Sequence, residues 1–185
     1  MMTSPGLTVR RLSTALLVMT VLTGCPRVLY LDYHPSTSIK GSGSVRVDAF
    51  SYAGHPTGLM QQKEVESGNQ DPEVLYLSQD IGEFFAGALT QELTRAGYET
   101  RADASRRVSG TIEQFYLDYV GRTDQRFKIE TTFHVAREGA TPFTTTCRSE
   151  QQQAKDWMKS GSLIESGIRG CIEAFVKEAQ AAGAL

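Results

Sequence analysis

The sequence predicts an α+β fold: an antiparallel sheet of about four main strands with two helices packed on one face, after an N-terminal signal segment. Three observations predict it. Between Ser78 and Gly97, apolar residues recur at three- and four-residue spacing and stop at glycine, as in an amphipathic helix with a left-handed cap. Phe127, Ile129, Thr131, Phe133 and Val135 alternate strictly with Arg126, Lys128, Glu130, Thr132 and His134, as in an antiparallel strand with one wet face. Helical spacing then returns from Leu163 to Ala181.

The chain has 185 residues, a formal net charge of −2 and 40% hydrophobic residues, which fits one globular domain behind a targeting segment. So small a charge supplies no electrostatic footprint for nucleic acid. Arg106-Arg107, the one adjacent basic pair of the later region, reads as a solvated strand end.

Three parts make up residues 1–24. Met1 to Arg11 is polar and ends in Arg10-Arg11, cations that stay in the cytoplasm while the next segment enters the translocation machinery. Leu12 to Leu22 is apolar but only eleven residues long. At ~1.5 Å per helical residue it cannot cross a bilayer core of ~30 Å, so it reads as the h-region of a signal peptide. Leu22-Thr23-Gly24-Cys25 follows and looks like the lipobox of bacterial lipoproteins. Small residues let a peptidase grip the extended backbone, and the thiol accepts the diacylglycerol. The likeness implies cleavage before Cys25 and anchoring by acyl chains such as palmitate. Each buried CH₂ contributes ~0.8 kcal/mol, so several chains hold a protein firmly. Pro26, rather than aspartate, follows the cysteine, which leans the expectation to the outer membrane with the domain facing the periplasm.

Residues 25–43 read as a lipidated cysteine and flexible tether, and residues 44–185 as the domain. Val28 to Tyr33 is a short strand candidate; His34-Pro35 and Gly41-Ser-Gly-Ser44 supply the tether composition. Ser44 to Phe50 reads as a strand with Val45, Val47 and Ala49 on one face, and Ser51 to Pro72 as a long loop or ragged hairpin. Val74 to Leu77 is a short strand. Ser78 is the expected cap of the first helix, with Asp80 in its first turn. Ile81, Phe84, Phe85, Ala88, Leu89, Leu93 and Ala96 form the apolar face. Tyr98 to Arg101 and Val108 to Tyr119 read as strands, and a change of apolar phase between Ile112 and Phe115 predicts a bulge. Turns at Gly121 to Asp124 and at Glu138-Gly139-Ala140 bracket the alternating strand. Pro142 to Gln151 then places Phe143, Thr145 and Cys147 on one face. Ser162 and Glu165 make a capping box for the last helix, whose stripe includes Ile168, Cys171, Ile172 and Phe175.

Beyond Cys25 the chain has two cysteines, Cys147 and Cys171. An even count in an oxidising compartment favours a disulfide, and closing such a loop stabilises by ~3 kcal/mol in chain-entropy models. Two free, buried thiols are the alternative. Neither Cys-x-x-Cys nor a structural zinc spacing is present, so no redox centre, metal or cofactor is expected. His34, His55 and His134 stand far apart in sequence, and His134 falls on the wet strand face. Asp118 and Asp124 bracket a hairpin turn, where turn chemistry accounts for Asp124. Ser42 and Ser44 lack a nucleophile elbow or phosphate loop. Tyr98, Tyr116 and Tyr119 read as pleat-filling rather than as an aromatic platform. The lone Trp157 is either an interface anchor or a cover for the core edge.

The segment Leu77-Ser-Gln-Asp-Ile-Gly-Glu-Phe-Phe-Ala-Gly-Ala-Leu-Thr-Gln-Glu-Leu-Thr-Arg-Ala-Gly97-Tyr98 runs from a strand end through a capped helix to a glycine-aromatic exit. Together with the lipobox, the strand Val108–Tyr119 and the last helix, it resembles the YajG-like lipoproteins, small envelope proteins of uncertain function. The resemblance covers roughly residues 44–180. The turn Ser51-Tyr52-Ala53-Gly54 departs from the Asp/Arg-containing turn such proteins often have. The resemblance implies a fold and a compartment, and none of its motifs is catalytic. A similar layout occurs in auxiliary lipoproteins of lipid-transport systems. The expected function is therefore a non-catalytic interaction domain, held to the membrane by lipid on Cys25 and binding an envelope protein. The alternative is an auxiliary lipoprotein that handles a lipid or another apolar ligand, which would need an apolar groove between sheet and helices.

Overall fold

The structure, a computed structural model, describes residues 27–54, 61–68, 74–120, 123–154 and 160–185. In chain order the strands are β1 (Arg27–Leu29), β2 (Ser44–Tyr52), β3 (Glu64–Val65), β4 (Leu75–Leu77), β5 (Glu99–Thr100), β6 (Arg106–Val120), β7 (Asp124–Arg137) and β8 (Phe143–Ala154). Helix α1 (Ile81–Ala96) joins β4 to β5, and α2 (Ser160–Ala181) ends the fold. A 3₁₀ turn, Gln61–Lys63, precedes β3.

The main sheet has five strands in the order β5-β2-β6-β7-β8. It is mixed, not purely antiparallel as the sequence predicts: β2 pairs in parallel with both β5 and β6. The cause is the long crossover through α1, which carries the chain back to the starting end of β2 before it pairs again. From β6 to β8 the sheet is antiparallel throughout. The strand predicted at residues 74–77 lies outside this sheet, in a second sheet of order β1-β4-β3. One glutamate, Glu66, joins the sheets through both its backbone and its side chain. Glu66 pairs its backbone with Phe115 and Leu117 of β6, and its carboxylate accepts from the Phe115 N–H at 3.1 Å and the Tyr52 hydroxyl at 3.0 Å.

Local chemistry explains the element ends. At the exit of α1, Gly97 takes φ 102°; its N–H bonds to the Thr94 carbonyl and that of Tyr98 to the Leu93 carbonyl, the paired bonds of a Schellman cap. The cap at the other end is Asp80, not Ser78; its backbone is extended and its carbonyl accepts from the Phe84 N–H at 2.9 Å. Helix α2 already includes Ser160, so Ser162 and Glu165 fall within it and do not form its capping box. The bulge in β6 lies between Ile112 and Gln114, as the change of phase predicts. A second irregularity, between Val47 and Phe50 of β2, reverses the expected face: Val45 points in, then Phe50 and Tyr52, while Ala49 is exposed.

Both helices cover one face of the main sheet, α1 over β2 and α2 over β7 and β8. Phe133 sits at the centre, fully buried, with its ring stacked on Phe175 at 4.0 Å and in contact with Phe50 and Phe85 at 5.6 and 5.8 Å. Gly82 lets α1 lie against β2, because a Cβ there would overlap the Phe50 carbonyl oxygen. Cys147 of β8 and Cys171 of α2 form a disulfide, with Cα atoms 5.4 Å apart. The bond clips the second helix to the edge strand. Phe133→Ala is expected to lower unfolding free energy by ~3–5 kcal/mol, as a buried aromatic truncation does. Thr132→Ala, on the uncovered face, should change it by ~0.5 kcal/mol or less. Urea denaturation of both variants measures the contrast.

Candidate functional site

Residues 30–43, which the sequence assigns to a flexible tether, are docked on the domain, with Tyr33 and Thr37 buried. The reason is Glu92, a carboxylate on the buried face of α1 with only 1% exposure. Such a group is tolerable inside a protein only when its oxygens are bonded. The segment supplies the donors. The Tyr33 hydroxyl donates to Glu92 Oε1 at 2.7 Å, the Ser36 N–H to the same oxygen at 3.2 Å, and the Thr37 N–H to Oε2 at 2.9 Å. Arg169 of α2 completes the cluster. Its Nε lies 3.7 Å from Glu92 Oε1, its Nη2 donates to the His34 carbonyl at 2.9 Å, and its guanidinium stands 5.9 Å from the Tyr33 ring centre. Burial, and then the Glu92 carboxylate it donates to, push the Tyr33 phenol far above its ordinary value, so it stays a donor.

Further bonds carry the strap to β2. Gln180 of α2 donates to the Lys40 carbonyl at 2.9 Å and contacts the Tyr98 hydroxyl at 2.8 Å. The Gly41 N–H reaches the Ala96 carbonyl at 2.8 Å. A side chain at Gly41 would collide with the Tyr98 ring, so the strap lies flat on that aromatic. Residues 33–41 are thus fixed to both helices.

The face of the main sheet turned from the helices is polar and ordered by cross-strand pairs. Ser51 and Thr111 share a hydrogen bond at 3.0 Å, and Thr132 and Thr146 one at 2.9 Å. Thr132 also lies 2.9 Å from Glu113 Oε1, and His134 Nδ1 lies 3.0 Å from the Thr144 hydroxyl. Towards the other end, Arg148 bonds Glu130 at 2.6 Å, and Arg126 lies between Asp118 and Glu150 at 3.9 and 3.5 Å. Arg148 holds the Glu130 carboxyl below the usual carboxylate range. These exposed pairs each contribute little stability, ~0–1 kcal/mol, but they present a patterned surface of both charges.

The predicted site residues fare differently. Cys25 and the lipobox Leu22, Thr23 and Gly24 lie outside the described residues, as do His55 and Trp157. Cys147 and Cys171 are brought together. His34 lies on the strap, 3.8 Å from Asp32, and His134 on the open sheet face, so the two are not joined in one cluster. Asp118 pairs with Arg126, and Asp124 accepts from Gln152 at 3.1 Å. Tyr98 is buried beside the strap while Tyr116 bonds Asp118, so they form no shared platform. No group of three metal-ligating side chains occurs among the described residues. The space between sheet and helices, where the alternative reading needs a groove, is filled by the phenylalanine cluster. Among the described residues, open surface grooves lie elsewhere. One, of about 520 Å³, is lined by Arg46, Asp48, Thr90 and Arg101, and its cations are already bonded to Asp48 and Asp103. Another, of about 410 Å³, lies between the β7–β8 turn and residues 182–184. The sequence does carry one overlooked sign of the strap site: Glu92 falls four residues from both Ala88 and Ala96 on the apolar face of α1.

This architecture, two helices on one face of a mixed five-stranded sheet with a strap across the helices, is an α+β fold that solved proteins share. A Xanthomonas campestris protein of the family DUF330 superposes with a TM-score of 0.59 at 12% identity, over 84% of this chain and 96% of that one. An uncharacterized protein superposes equally, TM-score 0.59 at 12% identity, over 83% and 98% of the two chains. Rare lipoprotein B from Shewanella oneidensis is a looser likeness, TM-score 0.44 at 7% identity over 77% and 96%. No family model matches the chain, and no curated protein matches it. At these identities the likeness is one of fold.

Glu92→Ala is expected to free the strap, since three donors lose their acceptor. Each bond to a charged group contributes ~1.5–3 kcal/mol, so the loss should be on the order of 3 kcal/mol once relaxation is allowed. Limited proteolysis should then cut within residues 30–43 before the rest of the domain.

Proposed function

We propose that the chain is a lipoprotein of the bacterial cell envelope, anchored by lipid on Cys25 to the outer membrane and facing the periplasm. Its domain is a non-catalytic interaction module, and the polar open face of the main sheet is its partner surface. The disulfide between Cys147 and Cys171 carries this reading, because such bonds persist in exported proteins and are rare in a reducing cytosol. The signal segment and the lipobox Leu22-Thr23-Gly24-Cys25 point to the same compartment. The likeness of residues 77–98 to the YajG-like lipoproteins supports the same class. The open sheet face suits a protein partner: it has paired charges of both signs, is uncovered by either helix, and is held in register by its own cross-strand bonds. The filled interior argues against a carried apolar ligand.

Metabolic labelling with a fatty acid, wild type against Cys25→Ala, tests the anchor. Label and membrane sedimentation should both be lost in the variant. Wild-type protein that sediments with membranes but carries no label would overturn the lipoprotein reading.

A further inference from the structure

Val28, Tyr30 and Val74 are the exposed large hydrophobic residues of the described surface, at 40%, 81% and 38%. Val28 lies in β1 of the small sheet, Tyr30 directly follows that strand, and Val74 directly precedes β4. In the parallel register of β1 on β4, Val28 stands opposite Tyr76 and Leu29 opposite Leu77. Leu29, Leu75 and Leu77 belong to the core or pack against it. Alternation along each strand therefore turns Val28, Val74 and Tyr76 the other way, and Tyr30 continues the side of Val28. Tyr76, on the same side, is buried, as is its β3 partner Glu64, so the exposed apolar positions are Val28, Tyr30 and Val74.

The position of the patch in the chain says what covers it. Only Pro26 separates Cys25 from β1, which begins at Arg27. Two residues of extended backbone span at most about 7 Å. The headgroup layer on each side of a bilayer is of similar depth, since ~40–45 Å of membrane encloses ~30 Å of hydrocarbon. A lipid on Cys25 therefore leaves β1 no room to stand clear of the headgroups. Nor can the domain swing away on the following residues, because Tyr33, Ser36 and Thr37 are fastened to Glu92. Tyrosine with neighbouring aliphatic residues is the composition that settles at the membrane–water interface.

We propose that the exposed apolar residues beside and within the small sheet, Val28, Tyr30 and Val74, lie in the headgroup region of the membrane that carries the lipid on Cys25. They act as an interfacial foot that sets the domain's orientation. The proposal rests on the lipoprotein reading above. The occupant is the bilayer surface itself, not a protein.

The test uses the full lipidated chain in vesicles of phosphatidylethanolamine and phosphatidylglycerol. Nitroxide labels are placed through Val28→Cys, Tyr30→Cys and Val74→Cys, with Thr146→Cys on the open sheet face as the reference. Relaxation by oxygen, which concentrates in lipid, is compared with relaxation by a water-soluble nickel chelate. The foot predicts an oxygen-to-nickel ratio several-fold higher at residues 28, 30 and 74 than at 146. Where a label in β1 disturbs the strand, Tyr30, just beyond it, gives the same reading. Equal, water-like ratios at all positions on protein that floats with the vesicles would overturn the foot and leave the anchor intact. Protein that neither floats nor carries an acyl chain would overturn both.

Discussion

A carboxylate buried in the seam between two helices organises much of this molecule. Glu92 cannot be dehydrated without donors, and neither helix supplies enough of them: Arg169 is the sole helix cation that reaches it among the described contacts. The remaining donors come from the strap, two backbone amides and a tyrosine hydroxyl. The stability of the domain and the docking of its N-terminal segment are therefore coupled. That coupling turns residues that look like a spacer into part of the body.

The rest of the architecture holds the seam in place. The phenylalanine cluster around Phe133 fixes both helices to the same sheet face, and the Cys147–Cys171 bond fastens α2 at the far edge. Glu66 plays the corresponding part for the small sheet, tying it through Tyr52 and Phe115 to the long strands. Two buried or half-buried acids thus position the two ends of the N-terminal segment relative to the core. The helices take one face of the main sheet, which leaves its other face free for polar display.

Much of the fold was legible because period and burial agree. The alternating strand at 124–137, the bulge after Ile112, the glycine stop at Gly97 and the proximity of Cys147 to Cys171 all follow from local pattern. The parallel pairing of β2 was not legible, since strand direction is set by the crossover and not by any residue within the strand. The shift of face at Val47 was hidden because Val45, Val47 and Ala49 satisfy a simple alternation that the irregularity interrupts. The docking of the strap was not legible from composition: proline, serine and glycine suit a linker, yet the backbone amides of Ser36 and Thr37 are what a buried carboxylate needs. The site residues divide similarly. A lipobox is a linear signal, whereas an open polar sheet face exists only once the strands are in register.

The central claim is that the segment between β1 and β2 is rigid, and backbone ¹⁵N relaxation of the folded chain tests it most directly. Order parameters of the amides of residues 31–43 should match those of the long strands, about 0.85. Values below about 0.6 across that stretch, with the strands still rigid, would mean a free tether and would contradict the account.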